Sequence, residues 1–370
     1  MIQGFGALPD SVMKELILDG NITGVSEDCI NPASFDLALS EEAYRMSCSV
    51  LPRDGQMVAD LLAIVNAKRI DVERTIFEPG VTYCFRTPAG INLPRGCYAH
   101  FNPKSSTGRD GWLVRAIVDG VGVYDALPAE LSATKHTTPW LLATPTKMPI
   151  EMSVGETLAQ ARIFNKDTRL SVHDLRLVHD VGNSPLLFMD GKPVPWELVH
   201  KFESEKAIGV TLNLRPGEKI GYRCRENRMI VDYRKVQPTD VYFEPVYADS
   251  AGNLLLESGY FYILCTMEGV CVPPWLACEL VPTHAWLGEV RIHAAGYIDP
   301  GWGYEADGKS SGGNITLEVW PQENLYIQKG QLVGLLKYET MTAPPSVDYN
   351  QKMTSHYKGQ QSAKPSKRFV

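Results

Sequence analysis

Residues 78–94, EPGVTYCFRTPAGINLP, and residues 257–273, ESGYFYILCTMEGVCVP, superpose without a gap at an offset of 179. The same register carries Pro103 onto Pro282. Around it, FDLAL at 35–39 faces LNLRP at 212–216, and Tyr44-Arg45 faces Tyr222-Arg223. Pro145 faces Pro321, and Gly155 of SVGETLAQARIF faces Gly330 of QKGQLVGLLKYE. Each match is cheap alone, but a fixed order at a nearly constant interval predicts two copies of one folding unit. A chain of 370 residues is long enough to give each copy a core of ordinary size.

Within each copy, short alternating or apolar runs are separated by Gly and Pro, which predicts short strands in a barrel or sandwich. Helical spacing is confined to LPDSVMKELILDG (8–20), MVADLLAIVNAKR (57–69) and PWELVHKFESEK (195–206). In the first of these, Asp10 or Ser11 is the expected N-cap and Gly20 the expected stop. The expected division is a β domain over 1–165, a connector over 166–204, a second β domain over 205–345 and a mobile polar arm over 346–370.

The net charge of −7 argues against a protein that tracks nucleic-acid backbones, which needs a basic excess. A small anionic ligand needs only a local cluster of cations. No run is apolar and long enough to span a bilayer, and the first residues lack the charged and apolar regions of a signal peptide. The eight cysteines form no CxxC pair, so free thiols in a cytoplasmic protein are expected.

NPKSSTGRDGW (102–112) places Lys104, Ser105, Ser106 and Arg109 within six residues. Two cations, two hydroxyls and a glycine suit a phosphate cradle, although Ser, Gly and Asn also make ordinary polar turns. In the second copy VPTHAWLGE (281–289) sets His284, Ala285 and Gly288 against Ser105, Ser106 and Arg109. The cradle is missing there. That copy instead carries ITLEV, where Glu318 shares a strand face with Thr316. A carboxylate among apolar neighbours is a candidate general base, because desolvation moves its titration towards neutrality; the commoner fate of a strand glutamate is to face water. Alignment on Pro145 puts Leu142 where Glu318 stands. One copy therefore has the cradle and the other the carboxylate. Gly303–Ser310 matches the GxxxxGK[ST] pattern, but a DPGW turn precedes it and SGGN follows, which is poor context for a phosphate-binding helix.

SSTGR, YIDPGW, ITLE and YNQKMTSHYKGQQ, in that order, resemble the motifs of the dCTP deaminase family within the dUTPase-like superfamily. INPASFDLAL resembles that family's early Asp-containing strand, and the whole chain resembles a double-length form. The resemblance implies two tandem distorted jelly-roll barrels. It implies triphosphate binding by Lys104, Ser105, Ser106 and Arg109, and contact of Asp299 with the nucleoside. Ala295 would help hold the reactive water through its backbone. Thr316 and Leu317 would line the base, Glu318 would accept and return the proton, and Tyr349, His356 and Gln360 would belong to a closing arm. Lys104 stands for an arginine and His356 for a lysine of that pattern, and the loop before ITLE is longer.

No histidine is followed by x-Glu and no PCxxC occurs, so the zinc-deaminase signature is absent from the sequence. The implied reaction is hydrolysis of dCTP to dUTP and ammonia with Glu318 activating water. Arg109 would orient it, and Mg²⁺ would accompany the triphosphate. Supply of dUTP for thymidylate synthesis would be the use, and a homo-oligomer the assembly. The rival readings are a dUTP pyrophosphatase or bifunctional enzyme, with Asp299 activating water, and a nucleotide-binding regulator without catalysis.

Overall fold

The chain is rich in β-strands with few short helices, and its contacts divide it into two units. The computed structural model describes residues 2–181, 184–226, 228–283, 296–305, 310–352 and 356–370. Unit 1 comprises Met1–Asp167, Asn227–Gln237 and Arg368–Val370; unit 2 comprises Thr168–Glu226 and Pro238–Lys367. The first unit is thus assembled from three stretches of sequence.

Six strands frame unit 1: β1 (Ser34–Ala38), β2 (Ala43–Met46), β3 (Thr82–Arg86), β4 (Tyr98–Pro103), β5 (Trp140–Pro145) and β6 (Thr157–Phe164). They run β4–β6–β1 in one five-stranded sheet and β2–β3–β5 in another. Six more frame unit 2: β7 (Ala207–Thr211), β8 (Lys219–Cys224), β9 (Tyr262–Val270), β10 (Leu276–Val281), β11 (Gly313–Val319) and β12 (Leu332–Thr340). These run β10–β12–β7 and β8–β9–β11, the same order with the same connections.

The pairing register carries the repeat to single residues. Leu142 lies opposite Cys84 on β3, and Glu318 opposite Ile263 on β9, so the two positions are equivalent. An ion pair is also duplicated. Arg45 pairs with Glu78, whose N–H donates to the Tyr83 hydroxyl at 3.0 Å; Arg223 pairs with Glu257, whose N–H donates to the Tyr262 hydroxyl at 3.0 Å.

One alignment moves. Asp36 pairs with Gln160 and Gly209 with Leu335, while both β6 and β12 bulge at the same point just after their glycine turns. The equivalents of residues 35–39 are therefore 208–212, four positions earlier than the sequence match to LNLRP. Unit 2 carries a longer loop before β8, and the shared Leu-x-Leu spelling aligned with that loop. Asp36 is thereby matched by Gly209, where a Cβ would fall 2.6 Å from a Leu332 methyl carbon that would have to move aside.

Two expected helices form. Helix α1 (Asp10–Leu18) buries Met13 and Leu16, and α2 (Val58–Ile64) buries Val58, Leu61 and Leu62. The cap of α1 is not Asp10 or Ser11. Pro9 precedes the helix in extended backbone, and Asp10 is already helical, its N–H donated to Pro32 O at 3.0 Å. Gly20 follows α1 at φ +76°, the left-handed conformation its lack of a Cβ permits. The third expected helix, over 195–206, is replaced by a 3₁₀ turn at Trp196–Leu198 and a strand at His200–Phe202. That strand pairs with β7, and its ladder outweighs the weak preference of so short a helix.

No helix among the described residues is long and apolar enough to cross a membrane. The cores are ordinary. Phe77 packs on Tyr83, Phe85 and Trp112 in unit 1, with ring centroids 4.8–5.9 Å apart. Trp302, Tyr338, Leu264 and Leu317 lie in the core of unit 2. Each such side chain contributes about 1.5–3 kcal/mol by leaving water.

Candidate active site

In unit 1, β4 runs directly into the candidate cradle. Lys104 stays extended (φ −73°, ψ 149°) and Ser105–Arg109 close a single short helix, α3. Gly108 N–H donates to Lys104 O at 3.0 Å and Asp110 N–H to Ser106 O at 3.0 Å. Gly111 then turns the chain at φ +80° into the strand Trp112–Ile117. Strand, single helical turn and strand thus fix Ser105, Ser106 and Arg109 in one short stretch, with Ser106 and Arg109 buried.

Lys104 is held from the neighbouring strands. Its ammonium pairs with Asp36 on β1 and donates to Thr157 Oγ1 on β6 at 2.8 Å. The charge of Lys104 is therefore largely met within unit 1. Asp36 and Thr157 were not among the residues expected at the site. The INPASFDLAL resemblance pointed at Asp36, but nothing in the sequence linked Thr157 to Lys104.

Asp110, directly after α3, was also missed. Its Oδ2 accepts from the Tyr233 hydroxyl at 2.7 Å and from Arg368 at 3.0 Å. Trp112 Nε1 donates to the same Tyr233 oxygen at 2.9 Å. Burial, and then the charge of Asp110, push the Tyr233 hydroxyl well above its ordinary titration range, so it remains a donor.

In unit 2, β11 is buried along its whole length. Ile315, Leu317 and Val319 enter the core, so Asn314, Thr316 and Glu318 share the opposite face. Sequence alone would leave that polar face to water, yet Glu318 is only 2% exposed. Part of the cover is the C-terminal arm. Gln360 is fully buried; its carbonyl accepts from Asn314 N–H at 2.9 Å. Its amide nitrogen donates to Asn314 O at 2.9 Å and to Thr316 Oγ1 at 2.8 Å. Gln361 adds a bond to Gly312 O at 3.0 Å.

The YIDPGW turn is tied to the same arm. Trp302 Nε1 donates to Gly313 O at 3.1 Å, and its ring lies 5.2 Å from that of Tyr349. Tyr349 N–H donates to Pro300 O at 2.9 Å, and the Tyr349 hydroxyl accepts from Tyr357 N–H at 3.3 Å. Gly301, at φ +91°, lies so close to the arm that a Cβ would stand 2.6 Å from Asp348 Cβ. Asp299 is half-buried in this turn, and His356 is exposed.

Thr316, Leu317, Glu318, Tyr349, Gln360 and the Asp299 turn therefore belong to one neighbourhood of unit 2. Ala295 and the stretch His284–Gly288 lie outside the described residues. After Ser310, Gly313 opens strand β11 rather than a helix, so the GxxxxGK[ST] match lacks the element a phosphate-binding loop requires. A cavity of about 240 Å³ opens beside Asn314 and Gln361, with Asn213 and Arg215 on its wall; Glu318 does not line it.

The N-terminal domain model of 2'-deoxycytidine 5'-triphosphate deaminase matches residues 4–167, and the C-terminal domain model of the same enzyme matches residues 195–369. Among solved structures, the chain is similar to the crystal structure of 2'-deoxycytidine 5'-triphosphate deaminase from Agrobacterium tumefaciens. The two are 30% identical, the match covers 93% of this chain and 100% of that chain, and the TM-score is 0.81.

Proposed function

Because this chain belongs to the 2'-deoxycytidine 5'-triphosphate deaminase family, we propose that it hydrolyses dCTP to dUTP and ammonia with Glu318 as the proton-transferring group. The observation that carries this reading is a carboxylate, 2% exposed, on a strand face that the arm's Gln360 covers at Thr316. Closure over such a face keeps bulk water from the base while leaving one carboxylate beside it.

In the first step Glu318 takes a proton from water as the oxygen bonds to C4 of cytosine. The C4–N4 bond then breaks, and Glu318 returns the proton to the departing nitrogen, which leaves as ammonia. Such a group must exchange protons readily at working pH and lie within hydrogen-bond reach of both partners. Thr316 lines the base; Leu317, whose side chain enters the core, meets it only through its backbone. Ala295 holds the water through its backbone, and Asp299 meets the nucleoside. Lys104, Ser105, Ser106 and Arg109 take the triphosphate, and Tyr349, His356 and Gln360 belong to the closing arm.

Neither unit carries the whole set. The cradle residues belong to unit 1 and Glu318 to unit 2, and we infer a homo-oligomer. We also infer the closed, distorted jelly-roll form for each pair of sheets, and dUTP supply for thymidylate synthesis as the use. Mg²⁺ enters with the substrate, held by phosphate oxygens. Among the described residues no three His, Cys, Asp or Glu side chains gather as a ligand set.

The test is Glu318→Gln, which keeps shape and removes the proton acceptor. Ammonia release from dCTP should fall by about 10²–10⁴, the usual contribution of acid–base catalysis, while dCTP binding stays within about twofold. Retained turnover would remove Glu318 from the mechanism. Pyrophosphate released without ammonia in the parent enzyme would replace deamination by triphosphate hydrolysis.

A further inference from the structure

The end of the cradle helix is fixed by side chains that the second half of the sequence lends to unit 1. Asp110 has a side chain with no exposure, and its donors come from far along the chain. Tyr233 lies in the Asn227–Gln237 excursion, and Arg368 is the third residue from the end. The guanidinium carbon of Arg368 sits 3.5 Å from the Tyr233 ring centroid, and its other nitrogen pairs with Glu156 at 2.9 Å. The backbone locks the same point. Gln237 N–H donates to Arg368 O at 2.7 Å, and Val370 N–H returns to Gln237 O at 3.0 Å.

We propose that Arg368 and Tyr233 are positioning residues, which act through Asp110 to hold Lys104–Arg109 in the conformation that binds the triphosphate. The proposal rests on the reading of that segment as the triphosphate site. A buried carboxylate that loses a donor such as Arg368 keeps its charge with less to balance it, so the local structure rearranges. The segment that must move is short. Asp110 N–H closes α3 onto Ser106 O, and Gly111 begins the next strand's approach. Displacing Asp110 therefore displaces Ser106 and Arg109. Affinity then drops by the fraction of molecules still holding the competent arrangement. Substrate at saturation restores that arrangement, which separates this effect from one on chemistry.

The experiment uses the full-length protein with Arg368→Met, Arg368→Lys and Tyr233→Phe. Steady-state kinetics with dCTP, equilibrium binding of dUTP and amide exchange are measured on each. Arg368→Met should raise KM and the dUTP Kd by about tenfold, about the worth of its hydrogen bond to the Asp110 carboxylate, with kcat within about twofold. Exchange at Gly108 and Asp110 should quicken while that in β6 stays unchanged. Arg368→Lys should recover most of the affinity. Tyr233→Phe, which removes a single oxygen, should shift KM in the same direction. Wild-type KM and exchange in both Arg368→Met and Tyr233→Phe would overturn the proposal, as would faster exchange spread through β6. Arg109→Ala separates the two layers. If it weakens dUTP binding and Arg368→Met does not, only the positioning role fails; if Arg109→Ala leaves binding intact, the cradle reading itself fails.

Discussion

Replacement of Gln360 by Ala removes the side-chain half of the contact that covers β11. The fully buried amide nitrogen makes two hydrogen bonds, at 2.9 Å to Asn314 O and 2.8 Å to Thr316 Oγ1. Each is worth about 0.5–1.5 kcal/mol net, and the lost Cγ methylene adds about 0.8 kcal/mol of burial. The arm's opening equilibrium should therefore shift by about 2–4 kcal/mol, or about 30- to 900-fold at 1.36 kcal/mol per decade. The amide of Asn314 reports this directly, because its N–H donates to Gln360 O rather than to a strand partner. Amide exchange followed by mass spectrometry should show Asn314 and residues 356–367 exchanging faster by that factor, with β6 unchanged. Deaminase kcat/KM should fall in parallel. Exchange at Asn314 within twofold of the parent protein would show that the arm is held elsewhere and refute the reasoning.

Thiol reactivity should divide the cysteines by environment. Burial pushes the Cys271 thiol up to about 12 and raises Cys84 as well, whereas Cys48 is exposed. Iodoacetamide at pH 8 should label Cys48 in the native protein and reach Cys271 and Cys84 only on unfolding, since the thiolate is the nucleophile; early labelling of Cys271, read by peptide mapping, would contradict the packing of β9. For acid stability the relevant group is Asp232. Hydrogen bonding to Arg234, with Lys235 nearby, holds its carboxyl below the usual carboxylate range. Its contribution is present above the unfolded value of about 3.9 and is lost as pH falls towards the depressed one. The stability gap between the parent and Asp232→Asn, read from melting temperatures, should therefore narrow below about pH 4. A gap that stays constant would disprove the coupling.

The two-copy architecture was legible because strands keep local signatures. Gly155 and Gly330 turn the chain before β6 and β12, and the Arg45 and Arg223 networks lie at nearly the same interval. The alignment slipped where a loop differs in length, since FDLAL and LNLRP share a spelling but not a register. The alternation in ITLEV gave the two faces of β11 correctly. It gave no hint that the polar face would be covered by Gln360, 44 positions downstream of Thr316. Short-range patterns report which way a side chain points; they do not report what arrives from elsewhere in the chain. Tyr233 and Arg368, separated from Asp110 by 123 and 258 positions, stand in stretches with no periodicity or motif to single them out.

That last separation bears on how the protein is made. Unit 1 holds residues 1–167, yet it also takes in Arg368–Val370, far downstream. An N-terminal half emerging from the ribosome can form its sheets early, but Asp110 waits until Arg368 is translated. A product that stops short of Arg368 carries every residue from Lys104 to Arg109 and lacks the guanidinium that meets Asp110. Synthesis thus finishes the setting of Asp110 only once Arg368 has emerged.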